Sequence, residues 1–176
     1  MADPIERARN GDLEALRALY EEHRNLVYAV GLSVCGNGPD ADEVVQESFL
    51  RAFRSLAEWR GEGKISTWLY AIALRTALNW KRRFLRTPPA GADPAAVEAP
   101  GEAVDRAESA EALRGAIRDL PLQQRLVLTL RHLDGRSLAE IAAIQGCAVG
   151  TVKSNLHHAM SKLKEALDGE AERARA

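Results

Sequence analysis

The chain has 176 residues, a formal net charge of −1, 46% hydrophobic residues and 28% charged residues. This length and composition favour one globular domain or two small ones and exclude an intrinsically disordered protein. No apolar run reaches the roughly 18 residues that a membrane span needs, and the first residues lack the apolar stretch of a signal peptide. We therefore expect a cytoplasmic protein without membrane insertion.

Three amphipathic helices are predicted in the N-terminal half, separated by Gly-containing breaks. The first covers residues 12–34 and the third runs from about Ser66 to Arg83. The second starts near Asp40, which has the spacing of a capping box with Glu43.

The composition then changes between residues 87 and 103, which hold four of the seven prolines and show no apolar periodicity. Such a segment is typical of a linker. We therefore expect an all-α fold with two small helical domains joined by a Pro-rich linker. The predicted boundaries are an N-terminal domain at 1–86, the linker at 87–103, a C-terminal domain at 104–170 and a tail at 171–176.

The C-terminal half contains the pattern of a helix-turn-helix. After a helix predicted at 121–133, Ser137 and Glu140 form a second capping-box spacing at the start of a short helix. Gly146 is placed to end that helix, and a longer helix follows at once. A short helix, a Gly-containing turn and a longer helix make up this motif.

The last helix carries an unusual exposed face, because no acidic residue occurs from Ile141 to Lys164. Short polar and cationic side chains can approach DNA phosphates and base edges without the repulsion that a carboxylate would cause. A solvated face on an ordinary helical hairpin is the open alternative. The candidate DNA-binding residues of this helix are Thr151, Lys153, Ser154, Asn155, His157 and His158.

A second acid-free stretch runs from Gly63 to Ala92 and includes several basic residues. Trp68 and Trp80 in this stretch are either core residues or aromatic faces beside an unstacked base. The chain therefore segregates its charge despite a net value near zero, and it can offer basic faces to DNA and acidic faces to a protein.

Three segments together resemble the sigma factors of bacterial RNA polymerase. "LPLQQRLVLTLRHLDGRSLAEIAAIQGCAVGTVKSNLHHAMSKLKEAL" (120–167) is similar to their promoter-reading domain. "DADEVVQESFLRAF" (40–53) and "KISTWLYAIALRTALNWKRR" (64–83) are similar to their N-terminal core domain. The short chain and the Pro-rich linker resemble the extracytoplasmic-function (ECF) group.

The resemblance implies a subunit that directs core RNA polymerase to promoter DNA and assists its opening. The last helix would read the −35 element. The N-terminal domain would read and open the −10 element with the loop Glu58–Lys64 and the third helix. The residues that this implies for DNA binding in the N-terminal domain are Lys64, Trp68, Arg75, Asn79, Lys81, Arg82 and Arg83.

The resemblance also implies protein partners. Glu43, Gln46 and Glu47 match the surface that binds the β′ clamp helices of the polymerase, although a solvated helix face is the plainer interpretation of these three residues alone. Members of the group are commonly held inactive by an anti-sigma protein, and we expect one here. Asn155 and His158 stand where the family often has Arg, and Arg75 where it often has Asn, so the resemblance does not define the promoter preference.

Other classes of function are less well supported by the residues. "GEGKIS" (61–66) lacks the spacing of a phosphate-binding loop, and Cys35 and Cys147 have no metal-ligand spacing. We therefore expect no catalysis, cofactor, metal or small-molecule substrate. The alternative is a stand-alone helix-turn-helix regulator, which would bind promoter DNA tightly without polymerase.

Overall fold

A computed structural model of the chain describes residues 4–85 and 113–173, and these residues form helices and turns without a β-strand. The all-α fold class is therefore confirmed, while the predicted linker at 87–103 lies outside the described residues. The part before residue 86 comprises α1 (Pro4–Arg9), α2 (Leu13–Cys35), α3 (Gly38–Ser55), a 3-10 helix (Leu56–Glu58) and α4 (Ile65–Leu85). The C-terminal part comprises α5 (113–119), α6 (Leu122–His132), α7 (Leu138–Gln145) and α8 (Val149–Arg173).

Most helix ends follow local capping chemistry, but the predicted capping residue of α3 is wrong. The helix begins at Gly38, and the side chain of Asn37 accepts a hydrogen bond of 2.9 Å from the backbone N–H of Asp40. Asn37 has the extended backbone of an N-cap, and Pro39 fits the first turn because its missing N–H has no helical partner there. Asp40 therefore lies inside the first turn and is not the cap.

The N-terminal helices enclose one core between α2, α3 and α4. Leu26, Ala52 and Leu69, one from each helix, are completely buried in the same cluster. The helices α2 and α3 approach closely at Gly31, where an added Cβ would lie 3.1 Å from the Cα of Ala41. A larger residue at position 31 would therefore push these two helices apart.

The two helical parts pack directly against each other, which the sequence pattern did not predict. Leu126 and Leu130 of α6 belong to the same buried cluster as Leu26 and Val30 of α2. The hydroxyl groups of Ser33 and Thr129 are in hydrogen-bonding contact across this interface. The second contact joins α4 to α7, where the Nε2 of Gln145 donates to the Oη of Tyr70 at 3.5 Å.

No helix among the described residues is both long enough and apolar enough to cross a bilayer.

Candidate nucleic-acid and protein interfaces

The orientation of α8 is set by three apolar residues on one side of the helix. Val152, Ala159 and Leu163 are buried, and their spacings of seven and four residues keep them on one face. They pack against α6, whose Leu128 shares a cluster with Ala159 and Leu163. The opposite face of α8 must therefore point away from the protein.

The outward part of α8 carries the predicted DNA-binding residues. No acidic residue occurs in its first turn. Five of the six predicted side chains are exposed and the sixth, Asn155, is half-buried. The exposed ones are Thr151, Lys153, Ser154, His157 and His158. The structure thus brings all six to the N-terminal half of one helix, and the helix dipole favours phosphate at its first turn.

Local capping holds α7 in place in front of α8. The Ser137 hydroxyl and the Glu140 carboxylate form the predicted capping box, and Gly146 ends the helix with a φ of 65°. The hydrogen bond from the Ser137 side chain lowers the pKa of Glu140 below its ordinary value, because the capping contact favours the ionised carboxylate. The left-handed turn at Gly146 then redirects the chain into α8, as in a helix-turn-helix.

A cationic stripe runs along α4. Trp68, Arg75, Asn79 and Arg82 follow one another at helical spacings of seven, four and three residues, which puts them on one face. Lys64 precedes the helix and is exposed, as are Arg75, Arg82 and Arg83. Asn79 accepts a hydrogen bond from the guanidinium group of Arg82.

Lys81 lies away from this stripe. Its ammonium acts on Cys35 at the end of α2, where it partly opposes the effect of burial, which raises the pKa of the thiol to about 11. The structure therefore places four of the seven predicted N-terminal DNA-binding residues on one face of α4. Lys64 is exposed just before the helix, Arg83 is exposed near its end, and Lys81 lies apart from them.

The tryptophans differ in their surroundings. Trp80 packs with Val44 and Ala77, as the core interpretation predicts. Trp68 is half-buried and lies against Trp59, with ring centroids 5.8 Å apart and an interplanar angle of 34°. The Trp68 ring therefore already has an aromatic neighbour in the folded protein.

The face of α3 that matches the polymerase-binding surface is open to solvent. Glu43 and Gln46 are exposed, and the half-buried Glu47 accepts a hydrogen bond of 3.1 Å from the Nε of Arg51. Leu50, one turn after Gln46, is 55% exposed. No predicted residue in this patch is buried in the core.

Two exposed leucines were missed by the sequence reasoning. Leu50 stands beside the acidic residues of α3, and Leu78 of α4, 39% exposed, stands next to Asn79. Both lie outside the apolar stripe of their own helix, so a comparison of each leucine with the helical period could have found them. Single exposed leucines are common on protein surfaces, so these two are additions to the polar patches and not interfaces by themselves.

No group of three or more residues that could hold a metal ion occurs in the part of the chain that the structure describes.

Comparison with known proteins places both halves of the chain in one family. Residues 19–87 match the family model of Sigma-70 region 2, and residues 110–163 match that of Sigma-70 region 4. The ECF RNA polymerase sigma-E factor of Escherichia coli K12 is 36% identical over 182 residues, which covers 96% of this chain and 92% of the relative. The RNA polymerase sigma-H factor of Pseudomonas aeruginosa is 32% identical over 177 residues, covering 93% and 91%.

Solved structures agree with this result. CnrH, determined in complex with the cytosolic domain of CnrY, superposes with a TM-score of 0.65 at 26% identity and covers 94% of this chain and 96% of its own. The sigma factor RpoE of Bartonella quintana, determined with the anti-sigma factor NepR, has the same fold with a TM-score of 0.58 at 23% identity, covering 82% and 91%. The chain therefore belongs to the extracytoplasmic-function group of RNA polymerase sigma factors.

Proposed function

We propose that this sigma factor reads the −35 element with the outward face of α8 and reads and opens the −10 element with α4 and the loop Glu58–Lys64. The observation that carries the proposal is that the described cationic side chains of both acid-free stretches are largely exposed, one set in each helical part. Cationic and short polar side chains on such faces suit phosphate and base contacts. The face of α3 with Glu43, Gln46 and Glu47 then binds the β′ clamp helices of core polymerase.

In this function the chain acts by binding and not by catalysis. Capture of unstacked bases offsets the cost of unpairing, which is a few kcal/mol per base. The DNA duplex can therefore be opened without a nucleotide-consuming step in this subunit. Its partner enzyme works in the cytoplasm, and we propose the same location for the chain.

We further propose that the two helical parts must separate before both promoter elements can be bound. The elements at −35 and −10 are about 25 base pairs apart, which is about 85 Å at ~3.4 Å per pair. In the structure the two helical parts are packed together, an arrangement that we call the closed form. Here α7 contacts α4 through Gln145 and Tyr70, and α8 starts directly after α7. A helix as long as α4 spans only about 30 Å at ~1.5 Å per residue, so the closed form is too short to bridge the elements.

Regulation by an anti-sigma protein fits this requirement. An apolar groove runs between Leu32 of α2, Leu128 of α6 and Met160 of α8, so an occupant would touch both helical parts and hold them together. His157, Lys164 and Asp168 line the continuation of the groove, so its mixed charge suits a partner helix with an apolar face and polar flanks. The complex of CnrH with the cytosolic domain of CnrY supports a protein partner of this kind.

The test is in vitro transcription with purified core polymerase on a promoter library, with and without this chain. We expect a new set of start sites that depends on the chain. Absence of capture by core polymerase, or unchanged start sites, would refute the proposal.

The separation step is tested by locking the closed form. The variant Ser33→Cys with Thr129→Cys places two thiols where the native hydroxyls touch. Its oxidised form should lose transcription and regain it on reduction, while the Ser33→Cys single variant stays active under both conditions. Full activity of the oxidised, cross-linked protein would rule out the need for separation.

A further inference from the structure

The C-terminal end of α1 contacts the base of the exposed loop that connects the 3-10 helix to α4. The guanidinium carbon of Arg9 lies over the ring of Trp59, 5.4 Å from its centroid. Trp59 is the residue directly after the 3-10 helix, so its side chain stands where the loop begins. Helix α1 precedes the segment that matches Sigma-70 region 2, residues 19–87.

The second end of the loop is joined to the first by an aromatic contact. Trp68, in the first turn of α4, packs against Trp59 with centroids 5.8 Å apart. Residues 60–64 between them are all exposed, and Gly61 and Gly63 have positive φ values of 76° and 83°. With little packing of its own, the loop depends on this tryptophan pair for its position.

Arg9 is held by the ring and not by a carboxylate. It makes no ion pair among the described residues, and its Nε is buried without a hydrogen-bond partner there. By contrast, the neighbouring Arg7 on the same helix pairs with Asp12 at 2.6 Å. A partly buried guanidinium over a tryptophan face is attracted by the ring quadrupole, and the attraction is stronger where water is excluded.

From this geometry we infer that Arg9 is a positioning residue for the loop Glu58–Lys64. Its guanidinium fixes Trp59 against Trp68, and the pair fixes both ends of the loop in the conformation that captures an unstacked base of the −10 strand. The inference rests on the proposed role of that loop in promoter opening. It makes α1 part of the strand-opening machinery.

The experiment compares Arg9→Ala and Arg9→Lys in the full-length protein assembled with core polymerase. Arg17→Ala on α2 is the matched control, because Arg17 is an exposed arginine without a ring contact among the described residues. The probes are a single-stranded −10 oligonucleotide and a duplex that carries only the −35 element. Intrinsic tryptophan emission of the free protein reports on the stack directly, since the chain has three tryptophans.

We expect Arg9→Ala to weaken binding of the single-stranded oligonucleotide by about three- to tenfold, in the range of one cation–π contact. Its tryptophan emission should shift to the red as Trp59 becomes more exposed. Core polymerase capture and binding of the −35 duplex should stay at the wild-type level. Arg9→Lys should restore most of the affinity because the ammonium keeps the charge over the ring, and Arg17→Ala should match the wild type.

Two results would overturn the inference. The first is that Lys64→Ala weakens binding of the oligonucleotide while Arg9→Ala binds it with wild-type affinity. The loop would then act without Arg9. Equal losses of core capture, −35 duplex binding and thermal stability would assign Arg9 a general folding role instead. If Lys64→Ala also leaves binding unchanged, the proposed role of the loop is itself wrong, which separates the two failures.

Discussion

Replacement of Lys153 by Glu should weaken promoter binding by an amount that can be calculated. Lys153 is exposed near the start of α8, and it makes no ion pair among the described residues. Each phosphate contact contributes about 0.9 to the slope of log K against log salt for B-DNA. Loss of one contact should therefore reduce the slope by about 0.9 and the affinity at 0.1 M salt by about eightfold.

The assay is binding of a fluorescent −35 duplex by the holoenzyme, measured by anisotropy over a series of salt concentrations. Lys162→Glu is the matched control, because it makes the same charge change at an exposed position on the same helix. At ~1.5 Å per residue it lies about 13 Å further along the axis, which exceeds the Debye length of about 10 Å at 0.1 M salt. Its slope should stay close to that of the wild type.

The reasoning is refuted if Lys153→Glu keeps the wild-type slope, or if both substitutions reduce it equally. The first result would mean that the N-terminal half of α8 does not contact phosphates. The second would mean that only the overall charge of the protein matters.

Three further predictions concern other surfaces and the core. Glu47→Lys on α3 should weaken capture by core polymerase at least tenfold, while the loss of its ion pair with Arg51 should lower stability by only about 0.5–1 kcal/mol. Glu21→Lys on α2 should bind like the wild type in the same pull-down. His23 is 4% exposed, and burial lowers its pKa. The folded state therefore holds the neutral ring, so its contribution to stability is complete above about pH 6.5 and is lost as the pH falls below that value. Urea unfolding from pH 8 to pH 5 should show this loss, and His23→Leu should reduce it; equal slopes in both proteins would contradict the assignment. Leu130→Ala should lower the free energy of unfolding by about 2–5 kcal/mol, because Leu130 is fully buried between the two helical parts; a loss below about 1 kcal/mol in urea unfolding would mean that this interface is loosely packed.

The pH prediction involves groups from both helical parts. The Nε2 of His23 lies 3.7 Å from the carboxylate of Glu22 on its own helix. Asp134 and Arg136, in the turn after α6, form an ion pair of 2.7 Å and act on His23 from the other side. Burial has the largest effect and lowers the pKa of His23. Glu22 and Asp134 raise this pKa and Arg136 lowers it, but each acts less strongly than burial.

The sequence alone determined most of the helices and the identity of the family, although α1 was not predicted. Apolar residues at helical spacing, the capping box of Ser137 with Glu140 and the turn at Gly146 are local, because each depends on residues within one or two turns. The two acid-free stretches were visible for the same reason, since charge is a property of each residue. Where two residues that can cap a helix lie within one turn, as Asn37 and Asp40 do, the local pattern did not identify which of them is the cap.

Only the tertiary structure decided how these helices meet. The contact of Ser33 with Thr129 joins residues 96 positions apart, and no periodic pattern in either helix specifies its partner. The stack of Arg9, Trp59 and Trp68 likewise joins three separate elements. Such contacts follow from the shape of the shared core, which brings together side chains that have no relation along the chain.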